Sequence, residues 1–258
     1  MALEVSIVIP TFNEYENISI LVPKIHSILQ NKVNYEIIIV DDNSPDGTWR
    51  KAEELARKYG CMRVFRRVGR RGLASAILNG IALAKYDLVI VMDADLQHPP
   101  EAIPEIVEAL SEADIVIASR YVKGGGIVGW SATRRLISFG ATILTRLLFP
   151  KIFRVRDPMS GFFGVHKSIL RGVRLNPIGF KILFDILVKA NYRKIKEVPY
   201  IFGRRKYGQS KLSGRTIKEF LKHVVLLLIS NNKLILVIPI VLFVISFATI
   251  IASMLMIT

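Results

Sequence analysis

Asp93 and Asp95 stand one residue apart at the end of the apolar run Val89-Ile-Val-Met, with Gln97 two residues further on. A strand that ends in Asp-x-Asp turns both carboxylates to one side by its period of two, and Gln97 adds a third oxygen as the chain turns. Oxygen donors without sulfur suit a hard cation, Mg²⁺ or Mn²⁺. Such a cation keeps open positions for a diphosphate and neutralises the charge of a departing group. A second polar set closes two earlier apolar runs: Pro10-Thr-Phe-Asn-Glu14 after the first and Asp41-Asp-Asn-Ser-Pro-Asp-Gly-Thr48 after the second. Asn43 and Ser44 suit a turn, and Asp46 or Thr48 the start of a helix. Asp42 then remains as a carboxylate that can accept hydrogen bonds from a base edge or a ribose.

These clusters need a frame that brings them together. Apolar runs at 5–9, 36–40, 62–65, 87–92 and 114–118 alternate with helical periods at 15–30, 48–59, 72–85 and 100–110. Strand and helix in rotation imply right-handed βαβ units. The expected fold is α/β: a mainly parallel sheet with helices on both faces, binding its ligands beyond the carboxyl ends of the strands. After Arg120 the texture changes to a Gly124-Gly-Gly126 loop, and then 133–149 and 216–230 set apolar residues among basic ones. We expect two amphipathic helices lying on a bilayer interface, although a helix covering the protein's own core has the same pattern. From Leu234 to Thr258 no residue is charged, which matches the length a hydrocarbon core demands. The expected organisation is a catalytic domain over 1–215, an interfacial helix at 216–230 and a transmembrane helix at 231–258, with a kink at Pro239.

The chain has 258 residues, 51% of them apolar, and a net charge of +15. Residues 1–119 carry 12 basic against 17 acidic side chains, and residues 120–215 carry 21 against 3. A basic half joined to a membrane segment points to a phosphate ligand or anionic lipid headgroups. Nucleic acid is not expected, because no recognition helix or aromatic platform accompanies the charge. Cys61 is the only cysteine, which excludes an intrachain disulfide and a cysteine-held zinc and fits a reducing compartment. The first ten residues lack a basic leader and a cleavage site, and Lys218, Lys222 and Lys233 precede the span. The catalytic domain is therefore expected on the cytoplasmic face of a membrane.

Taken in order, Pro10-Thr-x-Asn-Glu14, Val40 to Thr48, Met92-Asp-Ala-Asp-Leu-Gln-His-Pro-Pro100 and Ser119-Arg-Tyr121 resemble the family-two inverting glycosyltransferases of the GT-A fold. Within that family they are similar to the branch that mannosylates dolichyl phosphate. The likeness runs from about Val5 to Leu228. It takes in Gly129-Trp130, Arg134-Arg135, Ser138-x-Gly-Ala141, Asp157-Pro-x-Ser-Gly161 and Arg205-x-x-Gly-x-Ser-Lys211. The resemblance implies GDP-mannose as donor and dolichyl or another polyprenyl phosphate as acceptor. It places Pro10, Phe12, Glu14 and Asp42 at the nucleotide, with Phe12 where the family often has Tyr, and Asp93, Asp95 and Gln97 at the metal and diphosphate. Arg120, Arg134, Ser138, Arg205 and Lys211 match positions that hold the acceptor phosphate and close the site over the donor.

The chemistry agrees with that assignment. A lipid monophosphate is largely anionic at neutral pH and is already a nucleophile, so no general base is required. What it needs is a cationic pocket that brings one anion to another, for which arginine is suited. Rival readings are the same reaction with UDP-glucose, a polymer-forming synthase, and a non-catalytic membrane-anchored binder of nucleotide sugar or lipid phosphate. Asp157 either touches the sugar or holds a turn. Arg135, Arg204 and Lys206 read as solvated, His98, His166 and His223 as structural, and His26 as surface.

Overall fold

The computed structural model describes residues 3–69, 71–179, 181–205, 207 and 214–230. Lys206, Lys211 and the expected span at 231–258 lie outside the described residues. The first half alternates as expected: β1 (Glu4–Thr11), α1 (Tyr15–Leu29), β2 (Asn34–Asp41), α2 (Thr48–Tyr59), β3 (Met62–Arg66), α3 (Leu73–Leu83), β4 (Leu88–Val91), α4 (Ile103–Leu110) and β5 (Ile115–Ser119). The second half adds β6 (Gly126–Ile127), α5 (Ala132–Leu148), β7 (Phe163–His166), α6 (Ile182–Lys189), β8 (Ile195–Pro199), β9 (Ile201–Phe202) and α7 (Gly214–Ser230).

Seven strands form one sheet in the order β3-β2-β1-β4-β7-β5-β8, and β6 pairs with β9 apart from it. All neighbours in the large sheet are parallel except β7, which runs antiparallel between β4 and β5. Helices cover both faces, so β1 is buried from Val5 to Thr11 and reads as a continuous apolar run rather than an alternating one. One face packs on α1, α2 and α4, the other on α3, α5, α6 and α7. Register sets the site: β1 and β2 end together at the Thr11–Asp41 pair, and β4 stops at the level of Val8, so the turn that follows it runs beside the last residues of β1. The polar clusters that follow each strand therefore meet along one edge.

The packing of α3 on the sheet depends on Gly80. A β-carbon there would lie 2.3 Å from Cγ1 of Val8, a fully buried residue of β1. Gly80→Ala is expected to destabilise the fold by about 1–3 kcal/mol, because α3 must shift off the strand. Denaturant unfolding checks this, and an unchanged midpoint would refute it.

Both amphipathic segments are helices, and both cover the core. Leu144 and Leu148 of α5, with Phe220, Val224 and Leu228 of α7, enter the same apolar cluster. His223 of α7 lies 3.0 Å from an Asp185 oxygen on α6, which ties the two helices together, and Lys189, one turn on along α6, donates to the same carboxylate at 2.9 Å. The outward faces set apolar residues among charged ones: Phe139 and Leu147 of α5 and Leu226 and Ile229 of α7 are exposed, as are Arg135, Lys218 and Lys222. Among the described residues no helix is long and apolar enough to cross a membrane. His166 joins Asp87 to the carbonyl of Leu110, at 2.9 Å to each. His26 is not on the open surface. It is half-buried, 2.5 Å from the Tyr35 hydroxyl, with its ring tilted against that of Tyr59 at 4.6 Å.

Candidate active site

A cavity of about 1230 Å³ opens beyond the ends of β1, β2 and β4. Its wall includes Pro10, Phe12, Glu14 and Asp42, then Asp93, Asp95 and Gln97, then Arg120, Arg134, Ser138 and Arg205. Every candidate residue that the structure describes thus meets in one space, and Lys211 is the one outside the described residues.

The Asp93–Gln97 turn is held from behind. Nδ1 of His98 accepts the Asp93 N–H at 3.0 Å, which places the ring proton on Nε2, 3.9 Å from the Asp93 carboxylate. His98 is buried, stacks on Phe162 at 5.2 Å, and is kept neutral because burial pushes its pKa down to about 4. It is a brace rather than a ligand. Leu96 sits at φ +61°, a left-handed conformation that a bulky side chain adopts at a cost of order 1 kcal/mol or more. That twist lets Asp95 accept the Gln97 N–H at 3.1 Å while Gln97 Nε2 donates to the Gly203 carbonyl at 2.9 Å.

Burial and then the neighbouring Asp93 raise the Asp95 carboxyl above its ordinary range, although His98 and Arg205 oppose the shift. Two converging carboxylates strained in this way fit a divalent cation, and their oxygen chemistry fits Mg²⁺ or Mn²⁺. Among the described residues no cluster of three or more His, Cys, Asp or Glu forms a closed cage. Arg205 donates to Asp95 at 2.5 Å and approaches Glu14 at 4.0 Å, so it spans the turns after β1 and β4.

The cationic wall is unequal. Arg120 forks onto Asp157 with bonds of 2.8 and 2.7 Å, and its backbone N–H adds a third at 3.0 Å. Burial disfavours the Arg120 charge, yet Asp157 outweighs that and raises its pKa. Asp157 is fully buried, its backbone N–H donates to Glu197 at 3.0 Å, and it is the seat of Arg120 rather than a sugar contact. Arg134, at the start of α5, lies 4.2 Å over the Trp130 ring. Enclosure, then the charges of Arg120 and Arg205, lower its pKa, so it carries a charge not matched by a fork of its own. Ser138, one turn along α5, is 3.0 Å from the Tyr121 hydroxyl. Arg135 reaches only the Ile127 carbonyl at the surface.

Asp41 and Asp42 divide their work. Asp41 is buried and accepts from Thr11, from the Ser44 hydroxyl and from the Ser44 N–H, building the turn. Asp42 lines the cavity, but one oxygen accepts from Arg67 at 2.6 Å and the other from the Gly72 N–H at 2.8 Å. Arg67, buried and also bonded to Ser75 and Asn79, had no motif to announce it. Arg71 covers the Phe12 ring at 4.8 Å. Lys181, just before α6, lines the cavity too. Enclosure, then Arg120, push its pKa down to about 7 against the pull of Asp157 and Asp93.

Comparison with known proteins places this geometry. A dolichol-phosphate mannosyltransferase of Pyrococcus furiosus is 52% identical over 223 residues, covering 86% of this chain and 63% of its own length. The chain thus spans less than two thirds of that relative. A dolichol-phosphate mannosyltransferase of Saccharomyces cerevisiae is 38% identical over 233 residues, covering 86% of each. Among solved structures, glucosyl-3-phosphoglycerate synthase from Mycobacterium tuberculosis, in complex with Mn²⁺, UDP and glucosyl-3-phosphoglycerate, superposes with a TM-score of 0.64 at 21% identity. The match covers 88% of this chain and 79% of that one, and supports the shared fold. Residues 6–173 match the glycosyl transferase family 2 domain, and this chain belongs to that family.

Proposed function

We propose that the chain transfers mannose from GDP-mannose to the phosphate of dolichol or another polyprenol, with inversion at the anomeric carbon. The observation that carries this reading is the composition of the cavity. A carboxylate pair and a nucleotide-sized cleft lie at the strand ends, and cations follow. Beyond them the wall turns apolar through Leu73, Ile77, Ile137, Leu144, Ile217 and Phe220, drawn from α3, α5 and α7. A sugar nucleotide has no use for that apolar wall, whereas an isoprenoid tail does. The names of the two mannosyltransferase relatives support a mannosyl group and a dolichol phosphate acceptor.

In this reading Pro10, Phe12, Glu14 and Asp42 seat the nucleoside, and Asp93, Asp95 and Gln97 hold a divalent cation. That ion would stabilise charge on the diphosphate. Arg120, Arg134 and Ser138 orient the lipid phosphate, while Arg205 and Lys211 close over the donor. An oxygen of the lipid phosphate attacks the anomeric carbon as its bond to GDP breaks. An α-linked sugar becomes a β-linked phosphodiester, and GDP leaves with the bonding pair. No side chain has to remove a proton. The exposed apolar residues of α5 and α7 rest on the bilayer, the segment 231–258 spans it, and the catalytic domain faces the cytoplasm.

The test is transfer of radiolabelled sugar to dolichyl phosphate in detergent with Mg²⁺ or Mn²⁺, from GDP-mannose and UDP-glucose in parallel. Mannolipid from GDP-mannose alone is the expected result. Glucolipid would change the donor and keep the mechanism, and the absence of both products would leave a binding protein.

A further inference from the structure

The guanidinium groups of the cavity wall are held in two different ways. Arg120 is forked onto Asp157, and Arg205 is bonded to Asp95. Arg134 rests on an aromatic face instead: its guanidinium carbon lies 4.2 Å from the centre of the Trp130 ring, and the hydrogen bond it gives is from its backbone, to the Ser131 hydroxyl. The difference matters to a ligand. A carboxylate cancels the charge of a guanidinium and uses up its N–H fork, whereas a ring face attracts the charge and leaves the N–H groups to bond elsewhere. Trp130 itself lines the cavity, and its ring is well seated. Gly129 turns the chain into it at φ +81°, a conformation that favours glycine. Phe202 of β9 meets the indole in a T-shaped contact at 5.3 Å. The next residue, Gly203, is bonded both ways to Gln97: its N–H donates to the Gln97 carbonyl and its own carbonyl accepts from Gln97 Nε2, each at 2.9 Å. The indole beneath Arg134 is thereby referred to the turn that carries Asp93 and Asp95. Nε1 of Trp130 is buried and has no hydrogen-bond partner among the described residues, and an unmet buried donor is a cost. The indole stands here for its face and not for its N–H.

We propose that Trp130 is a positioning residue for the acceptor phosphate: its indole face holds the Arg134 guanidinium at the cavity wall and leaves the N–H groups of that guanidinium for the phosphate oxygens. This rests on reading Arg134 as a contact of a lipid monophosphate. Tryptophan suits the place because its ring attracts a cation more strongly than that of phenylalanine, and an aliphatic side chain does not attract one.

The experiment uses the full chain in detergent, with a short-chain polyprenyl phosphate as probe and its affinity read by calorimetry. Trp130→Leu is expected to weaken polyprenyl phosphate about tenfold and Trp130→Phe about threefold, while GDP affinity stays within about twofold of the parent. In an Arg134→Met background Trp130→Leu should change acceptor affinity by less than about twofold, because the charge it served is gone. An undiminished loss in that background, or a parallel loss of GDP affinity, would overturn the proposal, since a merely structural indole acts whether or not Arg134 is present. A second measurement leaves Trp130 in place. Trp49, on α2, is the other tryptophan of the chain, so Trp49→Phe makes Trp130 the sole indole emitter. Its emission should shift with polyprenyl phosphate and not with the uncharged polyprenol. Polyprenyl phosphate that binds by calorimetry yet leaves this emission unchanged sinks the platform alone, whereas no binding at all takes the acceptor reading down with it. Should the parent bind the lipid and make no mannolipid, the transfer reading fails by itself, and the emission result still decides Trp130.

Discussion

Asp95→Ala is expected to lower sugar transfer by about 10³-fold, roughly 4 kcal/mol of transition-state stabilisation. The size follows from the number of things this carboxylate touches. It feels the charge of Asp93, accepts the Gln97 N–H and takes the short bond from Arg205. Without it, a cation loses one of two anionic ligands and Arg205 loses its station. The fold should survive, because removing a carboxylate that burial and Asp93 already disfavour relieves repulsion between the two acids. Chelation of divalent ions should reduce the parent to a similar level, with Mn²⁺ restoring the parent and not the variant. Turnover by Asp95→Ala within tenfold of the parent would remove this carboxylate from the reaction.

The second large effect is on stability. Asp157→Asn breaks a buried pair and leaves Arg120 charged and enclosed, which costs about 3–5 kcal/mol. For a domain of this size the melting temperature should fall by roughly 10 °C. The double replacement Arg120→Met with Asp157→Leu should return much of that loss, since a well-packed apolar pair can substitute for a buried ion pair. It should not return transfer, because the guanidinium that lines the cavity is gone. If Asp157→Asn melts with the parent, the fork is not a structural tie, and Asp157 would have to be reconsidered as a substrate contact.

The first half of the fold was legible because periodicity and burial agreed there. Runs such as Val5 to Ile9 are apolar throughout since both faces of the sheet are covered, and the acidic clusters fall where parallel strands must end. The second half was not. Phe163–His166 is too short to show a period, and Ile182-Leu-Phe-Asp-Ile-Leu reads equally as a buried strand or a buried helix. Among site residues, the carboxylates and arginines stood inside motifs, whereas Arg67 and Lys181 stood alone in ordinary basic surroundings. Only the tertiary fold, which carries Arg67 to Asp42 and Lys181 to the cavity wall, distinguishes them from solvated charge. Asp157 resolved for the same reason: its partner is 37 residues away, and no local pattern names it.

The antiparallel strand β7 also bears on how the chain can be assembled. During synthesis, β1 to β4 can pair as soon as they emerge, because their partners are close in sequence. β4 and β5 are not neighbours, and the strand that joins them comes only at Phe163–His166, well after both. Until it inserts, β4 presents a bare apolar edge and β5 has no partner on either side, since β8 is later still. A nascent chain that stalls before residue 163 is therefore sticky along β4, in a way the finished protein is not. Chaperone dependence should peak over the interval in which residues 120–162 have left the ribosome and β7 has not.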